Sequence, residues 1–348
     1  MKTGPKEGMR SVAARPRIKD VAEYAGVSPK TVSNVINDFE HVSDRTREAV
    51  KEAIDALGYR VNIAGRQLRR GRIGMITLAV PELDVAYFAE LATHVMAEAE
   101  KRGQTVLLHR TGGAREQELA VLGGFDARIS DGVILSPLAL HPRDLAGRDQ
   151  GLPVVLLGER PTEGGADHVA VDNVRAAREA TAHLLSRGRR RIAVVGGTTR
   201  GRQGTDRLRT DGCREALKAA GVPFDAELVV PVDAYHREHG ARAAAALMDR
   251  RHRPDALLCL NDDLALGALR ALHERQVDVP GDLDVVGFDD IEAARYSVPS
   301  LTTVSPDKAE IARAAVTLLL DRIEDPATGP PQDHVVGHEV IVRESSGG

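Results

Sequence analysis

From residue 17 onward, apolar positions first recur at helical spacing and then, beyond residue 73, gather into short buried-looking runs. Ile18, Val21, Ala22 and Ala25 fall at i, i+3, i+4 and i+7, one face of a first helix, and Gly26 ends it. Ser28 is a good N-cap for a second helix with Pro29 at N1, where its missing N–H costs nothing. That helix buries Val32, Val35 and Ile36 and leaves Lys30, Thr31, Ser33, Asn34 and Asn37 polar. A third opens at Ser43, carries Ala49, Val50, Ala53, Ile54 and Leu57 on one side, and stops at Gly58 in the C′ position. Two short helices joined by a tight glycine turn describe a helix-turn-helix, and the same spacing describes equally well a small helical bundle with a solvated polar face.

Beyond Ile73 the pattern alternates. IGMITLAV, TVLLH, DGVILS and PVVLLG read as strands with helical stretches between them, the first helix placing Phe88, Leu91, Ala92, Val95, Met96 and Ala99 on one stripe. A second series starts near Val171, with RIAVVGG, ALLCL and LDVVGFDD as strands. Such alternation predicts parallel sheets covered by helices, and two sets predict two lobes with a cleft at the strands' carboxyl ends.

Composition changes this picture in one respect. Hydrophobic residues make up 42% and charged residues 28%, as in a well-packed globular chain. No apolar run approaches the roughly 20 residues a membrane span requires. The basic N-terminus lacks the apolar stretch of a signal peptide, so a cytoplasmic location with no membrane partner is expected. Cys213 and Cys259 have no metal or redox spacing, and neither metal nor cofactor is expected. The net charge of −4, however, conceals an asymmetry. Residues 1–72 hold 15 Lys+Arg against 9 Asp+Glu, a net +6, and the remainder holds 32 against 42, a net −10. A basic head on an acidic body fits a nucleic-acid reader joined to something else.

Signals for catalysis are weak. GGTTRGRQG follows a strand but fits neither phosphate-loop pattern, and HExxH and GxSxG are absent. Asp289-Asp290 and Asn261-Asp262-Asp263 could serve as acid/base or metal carboxylates, or simply as capping and hydrogen-bonding groups at strand ends.

The words IKDVAEYAGVSPKTVSNVIND and HVSDRTREAVKEAIDALGY closely resemble the DNA-binding head of the lactose-repressor (LacI) family of bacterial transcription regulators. RIAVVGG, DRLRTDGCREAL, NDDLALGALRAL, DVPGDLDVVGFDDI and PSLTTV resemble, in order, that family's effector domain, itself similar to periplasmic sugar-binding proteins. The resemblance runs from about residue 16 to 344. It implies a flexible basic arm (1–15), a three-helix helix-turn-helix domain (16–61), a hinge helix and linker (62–72) and a two-lobed α/β effector-binding and dimerisation domain (73–344). The N-lobe is expected over about 73–171 plus 306–334, the C-lobe over about 172–305 plus 335–344.

For the head, the resemblance implies base contacts from Pro29, Lys30 and Asn34, and backbone contacts from Thr31, Ser33, Asn37 and His41. Asn34 stands where relatives often carry Arg, and Asn favours adenine where Arg favours guanine. In RVNIAGRQLRRGR, Asn62 caps the hinge, Leu68 is cast as the apolar wedge of the minor groove, and Arg69 lies along phosphates. In the body, Arg209, Asn261 and Asp289 match positions that hold effector hydroxyls, Tyr235 an aromatic stacking on the effector, and Tyr87 and Phe88 an aromatic pair closing the other lobe. The residues themselves leave other roles open. Phe88 heads a core stripe, Arg209 has Asp206 and Asp211 nearby as surface partners, and Asp290 offers a second carboxylate beside Asp289.

The expected function is therefore a ligand-responsive regulator, most readily a repressor, that is not an enzyme; the alternatives are a sugar-binding solute receptor and a purine-responsive regulator. Its expected partners are double-stranded operator DNA, a small-molecule effector with sugar favoured over purine, and a second copy of the chain. HEVIVRESSGG carries no heptad tail, which leads to the expectation of a homodimer.

Overall fold

The computed structural model describes residues 16–36, 39, 41–59, 72–123, 129–146, 151–158, 165–200 and 204–347. The chain divides into two compact units, residues 1–73 and 74–348.

The first unit is a three-helix head: α1 (Ile18–Tyr24), α2 (Pro29–Ile36) and α3 (Asp44–Leu57). Val21, Ala22, Val32, Val35, Val50 and Ala53 form its core, with Ile18, Ile36, Ile54 and Leu57 packed around them. Its turns follow from local chemistry. The Ser28 hydroxyl accepts from the Thr31 amide at 3.0 Å, and that of Ser43 accepts from the Thr46 amide at 3.3 Å. Gly58 ends α3 in the left-handed region at φ 58°, which glycine adopts without a Cβ penalty.

The second unit contains two six-stranded sheets. In the N-lobe, β1 (Met75–Val80), β2 (Thr105–Arg110), β3 (Val133–Leu135), β4 (Val154–Leu157), β5 (Asp167–Val171) and β11 (Asp333–Val336) lie in the order β11-β5-β4-β3-β1-β2, all parallel. In the C-lobe, β6 (Ile192–Val195), β7 (Val229–Val230), β8 (Ala256–Cys259), β9 (Asp284–Phe288), β10 (Thr302–Pro306) and β12 (His338–Ile341) lie in the order β12-β10-β9-β8-β6-β7. Only the edge strand β12 runs antiparallel to its neighbour.

Helices cover the sheets, as parallel strands buried on both faces require. They are α4 (Ala86–Lys101), α5 (Arg115–Leu122), α6 (Pro142–Ala146), α7 (Asn173–Ser186), α8 (Thr205–Ala219), α9 (Arg237–Met248), α10 (Asp262–Glu274), α11 (Glu292–Tyr296) and α12 (Lys308–Glu324). On α4 the stripe expected from spacing buries Leu91, Ala92, Val95 and Ala99. Met96, placed on the same stripe, is instead 39% exposed at the flank of the helix.

The chain passes between lobes three times: from β5 to α7, from β10 to α12, and from β11 to β12. An Asp N-cap marks each of the first two passages. Asp172 accepts from the Arg175 amide and Asp307 from the Glu310 amide, both at 2.9 Å. Among the described residues, no helix is long and apolar enough to cross a membrane.

Candidate functional site

On the head, α2 presents Pro29 and Lys30 exposed and Thr31, Ser33 and Asn34 half-buried. His41 is exposed beyond the helix, edge-on to Phe39 at 5.7 Å between ring centres. The Val32 and Val35 side chains anchor the opposite face of α2 in the core, so the polar residues are presented on a supported helix. Asn37, Asn62, Leu68 and Arg69 lie outside the described residues.

In the second unit, the polar candidates gather at the carboxyl ends of the C-lobe strands. Asp289 follows β9, Asn261 follows β8, and α8 delivers Arg209. Arg209 is buried and held from several sides. Its Nε donates to Asn173 Oδ1 at 2.7 Å, Nη1 donates to the Leu260 carbonyl, and the guanidinium lies 3.3 Å over the Phe288 ring. Stacking of this kind suits the flat, weakly hydrated guanidinium. Nη2 points toward Asp289 Oδ1 at 3.9 Å, beyond hydrogen-bond distance. Asp206 and Asp211 do not take Arg209 to the surface, because Asp211 is paired with Arg207 at 2.9 Å and with Arg214.

The two neighbouring carboxylates have different surroundings. Asp290 accepts from Arg343 at 2.5 Å and Ser305 at 3.0 Å, and Arg295 lies at 3.4 Å. Burial works to raise its pKa, but the Arg343 bond and charge, with Ser305 and Arg295, hold it below the usual carboxylate range. The Asp289 carboxylate accepts no hydrogen bond from the described residues, although it is only 8% exposed. Burial pushes its pKa up to about 7, against the pull of Arg209 and Lys308, while Asp263 and Glu90 add to the rise. Asp262 lies fully buried beneath this loop and accepts from the Thr303 hydroxyl at 2.6 Å and the Ile291 amide at 2.9 Å. Its pKa is raised well above the carboxylate range by burial and by the Asp289 charge.

Asn261 and Tyr235 are tied to one another. The Asn261 carbonyl caps α10 through the Leu264 amide at 2.8 Å, and its amide donates to the Tyr235 carbonyl at 3.0 Å. One amide N–H remains for another acceptor. The Tyr235 hydroxyl donates to the Gly196 carbonyl at 2.7 Å, which fixes the half-buried ring. These residues stand where they do because α9 and α10 pack very closely. A Cβ on Gly267 would fall 1.8 Å from the Arg237 carbonyl, and one on Gly240 2.0 Å from that of Leu264.

The N-lobe contributes the start of α4. Tyr87 and Phe88 pack edge-on at 5.3 Å. Tyr87 touches both lobes' cores, whereas Phe88 packs against the N-lobe core alone. Across the cleft the Ala86 amide donates to Asp263 at 3.5 Å, and His236 lies 3.2 Å from Glu82. Spacing offered no sign of Asn173, Phe288 or the Leu260 carbonyl as supports for Arg209. The long-range pairing that assembles them has no one-dimensional signature.

The C-lobe side thus presents a buried arginine, a carboxylate that accepts no hydrogen bond from the described residues and a fixed aromatic ring, and the N-lobe side an aromatic pair. Comparison with known proteins agrees with both units. Residues 17–62 match the model of bacterial regulatory proteins of the lacI family, and residues 181–346 match a periplasmic binding protein-like domain. The chain is 38% identical over 344 residues to the HTH-type transcriptional regulator CelR of Thermobifida fusca, covering 95% of this chain and 98% of the relative. A solved CelR–cellobiose complex superposes with a TM-score of 0.69 at 33% identity, covering 95% of this chain and all of that one. The lac repressor dimer bound to operator and the anti-inducer ONPF superposes at 0.81 with 26% identity, over 96% and 99% of the two chains. With a helix-turn-helix head and a two-sheet sensor body matching throughout, the chain belongs to the lacI family: it is a DNA-binding transcription regulator and not an enzyme.

Proposed function

We propose that this regulator is a repressor that binds a near-palindromic operator as a homodimer and takes a sugar or sugar derivative in the cleft between its lobes. The observation that carries the effector class is Asp289. A buried carboxylate with unused acceptor capacity, set 3.9 Å from the Arg209 guanidinium, suits a hydroxyl lodged between them. The fixed ring of Tyr235 offers an apolar platform for a sugar face. The relative solved with cellobiose supports the same class.

On DNA, Pro29, Lys30 and Asn34 read base edges in the major groove, and Thr31, Ser33, Asn37 and His41 contact the backbone. Leu68 enters the minor groove, with Asn62 and Arg69 placing the hinge. Effector binding changes the angle between the lobes and so spreads or unites the paired hinges. A typical coupling of 1–3 kcal/mol changes operator affinity by about 5–150-fold. Acting on chromosomal DNA places the protein in the bacterial cytoplasm.

Calorimetric titration with cellobiose, ribose and hypoxanthine, followed by operator binding with each ligand present, tests this reading. Binding of a sugar that shifts operator affinity supports it. Binding of hypoxanthine alone moves the effector class to purines, and a sugar that binds without moving operator affinity removes the linkage. Leu68→Ala should weaken operator binding strongly while leaving sugar affinity nearly intact. Equal loss of both would contradict the division between hinge and cleft.

A further inference from the structure

One ammonium holds the two lobes together at the acidic end of the cleft. Lys308 opens α12 immediately after the passage from β10, so its backbone belongs to the N-lobe. Its largely buried Nζ donates to Glu90 Oε2 at 2.6 Å, to the Asp289 carbonyl at 2.8 Å and to the Asp290 carbonyl at 2.9 Å. All three ammonium protons are thereby used. The second oxygen of Glu90, on α4, accepts from the Glu292 amide at 2.7 Å. Three of these four bonds cross from N-lobe side chains to the C-lobe backbone. The carbonyls converge on Lys308 in a loop where Asp289 and Asp290 both have positive φ, 109° and 48°, a conformation that non-glycine residues keep only where surrounding contacts enforce it.

We propose that Lys308 and Glu90 are a positioning pair that fastens the Asp289-Asp290 loop of one lobe to the helix carrying Tyr87 and Phe88 on the other. Neither side chain touches the effector. The pair sets the distance between the walls that do, and a change in lobe angle must strain or break its three crossing bonds. Its effect on ligand response rests on the cleft being the effector site, but the mechanical link does not.

The link is tested on the full-length protein without ligand, by hydrogen–deuterium exchange over residues 86–92 and 289–293. Lys308→Met should raise exchange in both segments by about tenfold, because removing one partner of a buried charge pair leaves the other uncompensated. Glu90→Gln should raise both by less, and Lys308→Arg should stay near wild type. If Lys308→Met fails to fold, the Glu90→Gln and Lys308→Arg pair carries the same comparison. A rise in only one segment, or in neither, overturns the proposal.

A second readout separates positioning from simple stabilisation. The groups facing the Asp289 carboxyl are Arg209 on α8, Lys308 on α12, Glu90 on α4, Asp262 and Asp263 on α10, and Asp290 beside it. Lys308 lowers the Asp289 proton affinity and Glu90 raises it. The pH midpoint of cellobiose binding should therefore move upward in Lys308→Met and downward in Glu90→Gln. Movement of both in the same direction overturns the pair's role at the cleft. If wild-type protein binds no sugar, the effector reading fails while the exchange experiment still decides the link.

Discussion

The two walls of the cleft are built on opposite principles. The C-lobe wall is polar and tightly held: Arg209 is bonded to Asn173 and Leu260, Asn261 caps α10, and Tyr235 is tied to Gly196. The N-lobe wall is mostly apolar, with Val85 buried and Ala86, Tyr87 and Phe88 packed against core clusters. On the proposed reading, one wall is prepared before a ligand arrives and the other supplies apolar surface to it. Preorganised polar groups give specificity, since a ligand lacking the matching hydroxyl leaves buried partners unsatisfied. Apolar closure adds affinity with little discrimination.

The sharpest way to break this contrast is to empty the polar wall. Arg209→Met should reduce effector affinity by about 100-fold or more, because it removes a charged donor together with its bonds to Asn173 Oδ1 and the Leu260 carbonyl. Titration calorimetry measures it directly. A loss below about fivefold would place the ligand elsewhere. On the apolar wall, Tyr87→Leu should cost only about tenfold, since it trims buried area without orphaning a charge. It should also weaken related sugars equally, which Arg209→Met should not.

The smallest effect is the most diagnostic. Burial raises Asp289 above its unfolded value of 3.8 to about 7 in the ligand-free protein. Folding thus takes up a proton there, so its contribution favours the folded state below pH 4 and is lost as pH rises through 7. The ionised form accepts a sugar hydroxyl more strongly than the neutral acid does. Effector affinity should therefore increase by about five- to tenfold between pH 6 and pH 8. Asp289→Asn should flatten that dependence, and a pH-independent affinity for wild type would remove Asp289 from direct contact.

Much of the architecture was legible because its signals are local. Ser28, Ser43 and Gly58 cap their helices as spacing alone predicts, and the buried strands β3, β4, β6, β8 and β9, with β1 buried at all but its first residue, stand out as apolar runs. Strands β5, β11 and β12 are partly exposed and carry Asp, His or Glu, and β7 is only two valines long, so periodicity passes over them. Within the cleft, family resemblance pointed to Arg209, Asn261, Tyr235 and Asp289, which the fold does bring to the carboxyl ends of one sheet. Their supports came from far along the chain. Asn173 lies 36 residues from Arg209, and Glu90 lies 218 from Lys308. No periodic pattern encodes such pairings, and only the closed topology brings them together.

The order of segments has a consequence for biosynthesis. The N-lobe sheet needs β11 and the C-lobe sheet needs β12, while Ser345 and Ser346 are fully buried against Thr302 and the Val285 carbonyl. A ribosome completes the DNA-reading head within the first sixty residues, yet each sheet of the second unit lacks an edge strand until residues 333–341 have been made. For a period on the order of tens of seconds, each nascent chain therefore carries a finished DNA-reading head ahead of an incomplete second unit.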